Sequence, residues 1–336
     1  RFGQYSFFIE HMIKQLGIED TAIFSLQAEN SYKDLGGRIF TLKLLSSVIL
    51  SDIFQDVYSL LLVNAADKRE AIGVFREEWE RIIKTLEGTP DFGSLKAVLA
   101  QAFKTIHGIS ITKPWRDVPT ILLTGEIFVR HDDLSRQFII EKLAEQGFAG
   151  KTAGIMEWIY YTDYCYSNNL AGCRPSFNER PSLLLRSLWT KGYERAYKKI
   201  AEASSLMSLK RDDVEHMIEV AGDLISPQLT GEAILTVGGS ITEVPRHYCG
   251  VISIGPFGCM PNRLSEAILS REMGRGWQTT AKRRRGVPRN VLENIYELPF
   301  LAIESDGNPF PQVITAKLEV FLSQAARLHQ AMKNGD

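Results

Sequence analysis

Apolar residues near the start of the chain recur at helical spacing. Phe2, Tyr5, Phe8, Ile9, Met12, Ile13 and Leu16 share one face, and Gly17 is a natural stop. The run over 22–26 reads as a short strand. A helix leading into a strand, with no strand before it, reads as the tail of a βαβ unit. Residues 1–34 are therefore expected to be the remnant of a preceding α/β domain. Residues 35–113 read as a helical linker unit. Leu42, Leu45, Val48, Ile49, Ile53, Val57, Leu60 and Leu61 form one broad apolar face. Phe75, Trp79, Ile82 and Ile83 mark a second helix, and Leu95, Leu99, Phe103 and Ile106 a third.

The pattern changes at Pro114. Short apolar runs over 119–124, 153–155, 250–254 and 299–303 alternate with helical stripes. Continuous apolar runs of this length suit parallel strands covered on both faces. The alternation predicts an α/β fold: a doubly wound, flavodoxin-like parallel sheet over 114–336, with a helical insertion at about 156–240.

The 336 residues exceed the usual size of one domain and suggest two packed units. Hydrophobic residues make up 44% and charged residues 24%, the balance of a globular chain. A net charge of -1 gives no broad basic face for a nucleic-acid backbone. The most apolar stretch, 42–63, is interrupted by Lys43, Asp52, Gln55 and Asp56, so it reads as a core helix and no membrane span is expected. Cys165, Cys173, Cys249 and Cys259 are too widely spaced for paired metal ligands and too sparse for a secreted disulfide framework. A reducing, cytoplasmic setting is expected.

In doubly wound sheets ligands sit outside the carboxyl ends of the strands. Three loops there carry more Gly, Pro and charge than a plain connection needs. The first contains Glu126, Arg130, His131, Asp132 and Asp133, which either anchor a ligand or open a solvated helix. The second, Gly255-Pro256-Phe257-Gly258-Cys259-Met260-Pro261, places Cys259 just before a helix. A helix N-terminus favours a thiolate, and thiolates hold iron–sulfur clusters; the alternative is a small packed side chain. The third carries Glu304, Asp306 and Asn308 as ligand-pocket candidates, with Glu304 and Asp306 reading either as catalytic acids or as ordinary turn residues. Cys249 reads as packing, and Cys165 and Cys173, in an aromatic-rich stretch, read as packing or else as ligands. The basic run 282–285 reads as a solvated loop, or else a dock for an acidic partner or a CoA phosphate. The Gly-Gly pair in 237–240 lacks the strand-to-helix context of a phosphate loop. No Ser/His/Asp arrangement or HExxH zinc signature is visible.

Five phrases together carry a resemblance: Arg1-Phe2-Gly3-Gln4-Tyr5, Ala28-Glu29-Asn30-Ser31, Gly125-Glu126-Ile127-Phe128-Val129-Arg130, the Cys259 phrase, and Glu304-Ser305-Asp306-Gly307-Asn308-Pro309-Phe310-Pro311. They resemble the C-terminal region of large 2-hydroxyacyl-CoA dehydratase activators, a region similar to the dehydratase subunits and to double-cubane-cluster reductases. The resemblance spans nearly the whole chain. It implies an iron–sulfur electron-transfer or reductase component coupled to an actin-like ATPase in the same parent chain. The alternative is a non-catalytic docking or regulatory module of the activator. A homodimer and a CoA-linked substrate or redox partner are further implications. The family's opening phrase reads Gly-Pro-Cys-Arg-Phe-Gly-Gln, so the chain begins directly after that Cys. Cys259 is then the one ligand matched by motif, with the others expected upstream of Arg1. The full-length protein is expected to hold an iron–sulfur cluster, and this fragment none intact.

Overall fold

The computed structural model describes residues 5–18, 20–23, 38–88, 91–170, 180–203, 213–283 and 286–334. The chain divides into two compact units, Arg1–Leu44 and Leu45–Asp336.

In the first unit, α1 (Tyr5–Gln15) ends as its sequence predicts. Gly17 takes a φ of 64°, a left-handed conformation that glycine adopts without strain. The Ile18 N–H then donates to the Ile13 carbonyl and closes the last turn. Most of the strand expected over 22–26 lies outside the described residues.

The second unit is built on a four-stranded, all-parallel sheet in the order β2-β1-β3-β4. The strands are β1 (Thr120–Gly125), β2 (Ala149–Thr152), β3 (Val251–Pro256) and β4 (Phe300–Ser305). Register runs from Thr120–Ala149 to Leu123–Thr152, from Leu122–Val251 to Gly125–Ile254, and from Val251–Phe300 to Pro256–Ser305. This is the flavodoxin-like α/β arrangement that the alternating pattern predicts. Strand β3 is buried along nearly all its length, and its residues Val251, Ile252 and Ile254 are fully covered. That burial is why they read as an unbroken apolar run.

The second strand differs from the expected one. The strand lies just before residues 153–155: the Ala153 N–H still donates to the Leu123 carbonyl at 2.8 Å, and the chain then turns into α7 (Ile155–Ser167). The strand's sequence, Ala-Gly-Lys-Thr, carries no apolar run. It stays a strand because Ala149 and Gly150 pack inward while the Lys151 ammonium pairs with Asp56 at 2.6 Å.

From Leu45 onward, α2 (Arg38–Asn64) shares one hydrophobic core with the sheet, as do α3 (Lys68–Glu87) and α4 (Phe92–His107). Phe54 is the hinge of that contact: its ring lies 5.8 Å from Phe75, 5.0 Å from Trp79 and 5.4 Å from Phe103. Such ring pairs contribute about 0.5–1.5 kcal/mol each beyond their buried area. Asp67 and Asp91 cap α3 and α4 by accepting the N–H groups of Glu70 and Ser94. Helix α2, from Ile39 to Asn64, is long and apolar enough to cross a membrane by length and composition, yet 56% of that window is buried inside the protein.

After β1 come α5 (Ile127–His131) and α6 (Ile139–Glu145). Between β2 and β3 the chain inserts α7, α8 (Arg180–Glu202), α9 (Val214–Ala221) and α10 (Ala233–Glu243). Helices α11 (Met260–Glu272), α12 (Arg289–Asn294) and α13 (Gln312–Lys333) complete the unit.

Candidate functional site

The chain leaves β1 toward β2 on one side and returns past it to β3 on the other. The point of reversal lies between the carboxyl ends of β1 and β3, where open sheets form their ligand crevice. Gly125 and the Cys259 turn meet there. Gly125 has a φ of 109°, and a Cβ on it would lie 2.0 Å from the Ile254 carbonyl oxygen. Only glycine lets the two strand ends approach this closely. The next N–H, of Glu126, donates to that same carbonyl at 2.9 Å.

Glu126 and Arg130, both expected to face a ligand, are buried and engaged by the chain itself. Glu126 accepts the Val129 N–H at 2.8 Å and so caps its own helix, α5. Glu232, from the approach to α10, accepts the Ile127 N–H at 2.9 Å. The Arg130 guanidinium is 1% exposed and donates to the carbonyls of Ala153, Gly125 and Gly154 at 2.9, 2.6 and 3.2 Å. Glu157 stands 3.9 Å away as its counter-charge. Arg130 therefore ties the ends of β1 and β2 together. His131 contacts Gln55 and the Ala153 carbonyl. Burial, with Arg130 beside it, pushes its pKa down to about 3, so the ring is neutral.

The Cys259 turn is held by Glu304. One carboxylate oxygen accepts the Gly258 N–H at 3.3 Å and pairs with the Arg263 Nε at 2.9 Å. Below it, the Ser253 hydroxyl donates to Asn262 Oδ1 at 2.7 Å. Cys259 caps α11, with Pro261 in the first turn, and its side chain is half-buried. The surroundings of Cys259 act against the thiolate that a helix start favours. Burial raises the thiol pKa, the nearby Glu232, Glu126 and Glu304 raise it further, and the Asn262 N–H only partly opposes them. Burial first, and then the three acidic neighbours, disfavour the charged form of the thiol. Of the three, Glu232 is itself shifted: burial raises its pKa to about 7, with Arg130 opposing and Glu126 adding to the rise.

Asp306 and Asn308 lie outside this group. Both are exposed, and Asp306 accepts the Asn308 N–H at 3.0 Å in a tight turn, which lowers its pKa. Around the crevice, Phe128, Phe257 and Met260 present large apolar side chains, 64%, 76% and 78% exposed.

The other helix start at this edge is also closed. Asp52, from α2, accepts the Ile155 and Met156 N–H groups at 3.0 and 2.9 Å. Gly154 makes room for it, since a Cβ there would sit 2.5 Å from the Asp52 carboxylate. A phosphate that needs free N–H groups finds α5 and α7 already capped by carboxylates.

Cys165 is buried in α7. Cys249 is buried at the opposite end of β3, where its thiol donates to the Thr120 carbonyl and burial pushes its pKa up to about 12. Cys173 lies outside the described residues. Among the described residues, no group of three or more His, Cys, Asp or Glu side chains is placed to hold a metal ion. The Gly-Gly pair of 237–240 lies inside α10, where a Cβ on Gly238 would meet the Met217 carbonyl oxygen at 2.3 Å. Its glycines serve the close approach of α9 and α10. Residues 277–283 form a 3-10 turn, and 284–285 of the basic run lie outside the described residues.

Glu232 and Asp52 are the polar residues that sequence reading misses. Glu232 sits 105 residues from the N–H it accepts, and no local pattern announces it. Asp52 and Asp56 did leave a signal: two carboxylates one helical turn apart within an otherwise apolar helix. Comparison of the chain with protein-family models, with curated proteins and with solved structures finds no match.

Proposed function

We propose that this chain is the flavodoxin-like module of an iron–sulfur electron-transfer or reductase component coupled to an actin-like ATPase, resembling the activation system of 2-hydroxyacyl-CoA dehydratases. The observation that carries the reading is the place of Cys259. Among the described cysteines it alone is partly exposed, and it lies at the reversal point of the sheet, within the phrase that carries the resemblance. The capped helix starts add support, because they leave no phosphate cradle at α5 or α7 for a flavin nucleotide.

The described residues do not by themselves form a cluster site. A cysteine-held cluster needs several thiolates, and Cys165 and Cys249 are buried elsewhere. The role assigned to this chain is to hold one thiol at an acidic crevice, with further ligands supplied from outside the described residues. A second reading is favoured by the exposed Phe128, Phe257 and Met260: a docking or regulatory module that presents this edge to the ATPase.

The test is anaerobic reconstitution with iron and sulfide, carried out on this chain and on the longest natural protein that contains it. The electron-transfer reading expects iron in the longer protein, lost together with ATP-dependent reductase activity in Cys259→Ser. Unchanged iron and activity in that variant overturn the ligand role of Cys259. If reductase activity is absent but Phe257→Asp abolishes binding of the ATPase domain, the docking reading stands instead.

A further inference from the structure

Large apolar side chains stand out from the carboxyl edge of the sheet. Phe128 lies in the first turn of α5, two residues after Glu126, while Phe257 and Met260 flank Cys259; all three are well over half exposed. Hydrogen bonds bring a fourth beside them. The Phe257 N–H donates to the Ser305 carbonyl at 2.9 Å, and the Ser305 hydroxyl donates to the Ser135 carbonyl at 2.6 Å. Leu134, the neighbour of Ser135 in the chain, is 70% exposed. Exposed apolar groups gathered among polar ones mark an interaction surface.

The charge at this edge is one-sided. Its segments 125–136, 226–232, 255–263 and 304–311 carry six carboxylates, those of Glu126, Asp132, Asp133, Glu232, Glu304 and Asp306, and three guanidinium groups. Each guanidinium is already engaged: Arg130 on three carbonyls, Arg136 on Asp133, and Arg263 on Glu266 at 2.7 Å and Glu304 at 2.9 Å. With Glu232 protonated the acids still outnumber them. Glu232, Glu126 and Glu304 all act on the thiol that lies between Phe257 and Met260, so the acids and the apolar side chains share one place. That sign excludes several occupants. A nucleic-acid backbone and an anionic bilayer are repelled. A second copy related by a two-fold axis sets the same acids against themselves. A protein segment with Lys or Arg among its apolar side chains matches both features.

We propose that this edge docks a segment of a partner protein that carries cationic side chains among apolar ones. The apolar side chains of the partner cover Phe128, Phe257 and Met260, and its cationic groups meet Glu304 and Asp306 at the rim. The inference rests on the docking reading of this edge and names the chemistry of what docks there.

The test is titration of the whole chain against a short labelled peptide of Leu, Phe and Lys, and against analogues with Gln or Glu at every Lys, read by fluorescence anisotropy. The Lys peptide is expected to bind at least about tenfold more tightly than the Gln peptide, with the Glu peptide weakest. The preference should fade in about 1 M salt, where screening acts within about 3 Å. Phe257→Ser and Met260→Ser change exposed side chains, so each should keep the thermal midpoint and weaken the Lys peptide by about tenfold. Tyr296→Ser, at an equally exposed residue before the amino end of β4, should change nothing. Glu304→Gln combined with Asp306→Asn should weaken the Lys peptide and spare the Gln peptide. Equal binding of the Lys and Gln peptides, an equal loss in Tyr296→Ser, or no binding of the Lys peptide at millimolar concentration would each overturn the proposal. Binding to phosphatidylserine vesicles, or a dimer that Phe257→Ser dissolves, would overturn it in favour of a membrane or a second copy. An ATPase domain that binds through Phe257 with no salt dependence leaves the docking reading standing and overturns the cationic partner alone. A Lys peptide that binds here while the ATPase domain does not supports the proposal and removes the ATPase as the partner.

Discussion

Replacing Glu232 with Gln isolates the proton held in the crevice. Glu232 is 8% exposed, and its carboxyl titrates near 7 in the folded protein against 4.5 for an ordinary glutamate. Burial is the main cause, followed by Arg130 acting against it and Glu126 acting with it. The folded state therefore binds more protons than the unfolded state between those two values. The stability contributed by the protonated carboxyl is fully present below pH 4.5 and is lost as pH rises through about 7. At about 1.4 kcal/mol per pH unit, the gap corresponds to about 3 kcal/mol. Gln keeps the carbonyl oxygen that accepts the Ile127 N–H but cannot ionise. Urea unfolding of both proteins at half-unit steps from pH 4.5 to 8 measures the difference. The two should converge at the acid end, and Glu232→Gln should be more stable by about 2–3 kcal/mol above pH 7.5, with equal m-values. Parallel curves over the whole range would refute the assignment of the proton to Glu232.

Three further outcomes follow from the same edge of the sheet. Gly125→Ala drives a Cβ into the Ile254 carbonyl at 2.0 Å and should cost about 3 kcal/mol or more in denaturant unfolding; a loss under about 1 kcal/mol would mean that the strands part easily. Arg130→Lys keeps the charge but cannot span three carbonyls, so a loss of about 2–4 kcal/mol is expected; a neutral result would contradict the tie between β1 and β2. In the folded protein, iodoacetamide should modify Cys259 before Cys165 and Cys249, and at neutral pH more slowly than an unperturbed thiol. Peptide mapping after timed quenching decides this, and a Cys259 that reacts faster than free cysteine would show a thiolate.

The strands β1 and β3 were legible because burial selects apolar side chains at most positions, and β4, where buried and half-buried positions alternate, still carries an apolar run from Phe300 to Ile303. Strand β2 was not, because its covering is partly electrostatic: the Lys151–Asp56 pair replaces an apolar contact. The run over 153–155 was misleading for a related reason. Its small and apolar residues mark where Asp52 closes a helix start, and Gly154 is needed for a carboxylate rather than for a strand. Of the candidate site, the Cys259 turn could be read from its Gly and Pro spacing. The chemistry of its thiol could not, since it is set first by burial in the folded chain and then by carboxylates from positions 126, 232 and 304. Helix dipoles are local and visible in sequence; the charges that opposed this one arrive through the tertiary fold.

The order of the strands also bears on how the chain can mature on the ribosome. About 100 residues, among them helices α7 to α10, separate the end of β2 at Thr152 from the start of β3 at Val251. At roughly 5–20 residues per second, a nascent chain holds β1 and β2 for about 5–20 s before the strand that will sit on the other side of β1 has been made. Throughout that interval the Thr120–Gly125 backbone offers an unpaired edge beside three buried aliphatic side chains, Ile121, Leu122 and Leu123. Expression at lower temperature, or with trigger-type chaperones in excess, should therefore raise the soluble yield more for this chain than for a sheet whose central strand gains both neighbours within one short crossover.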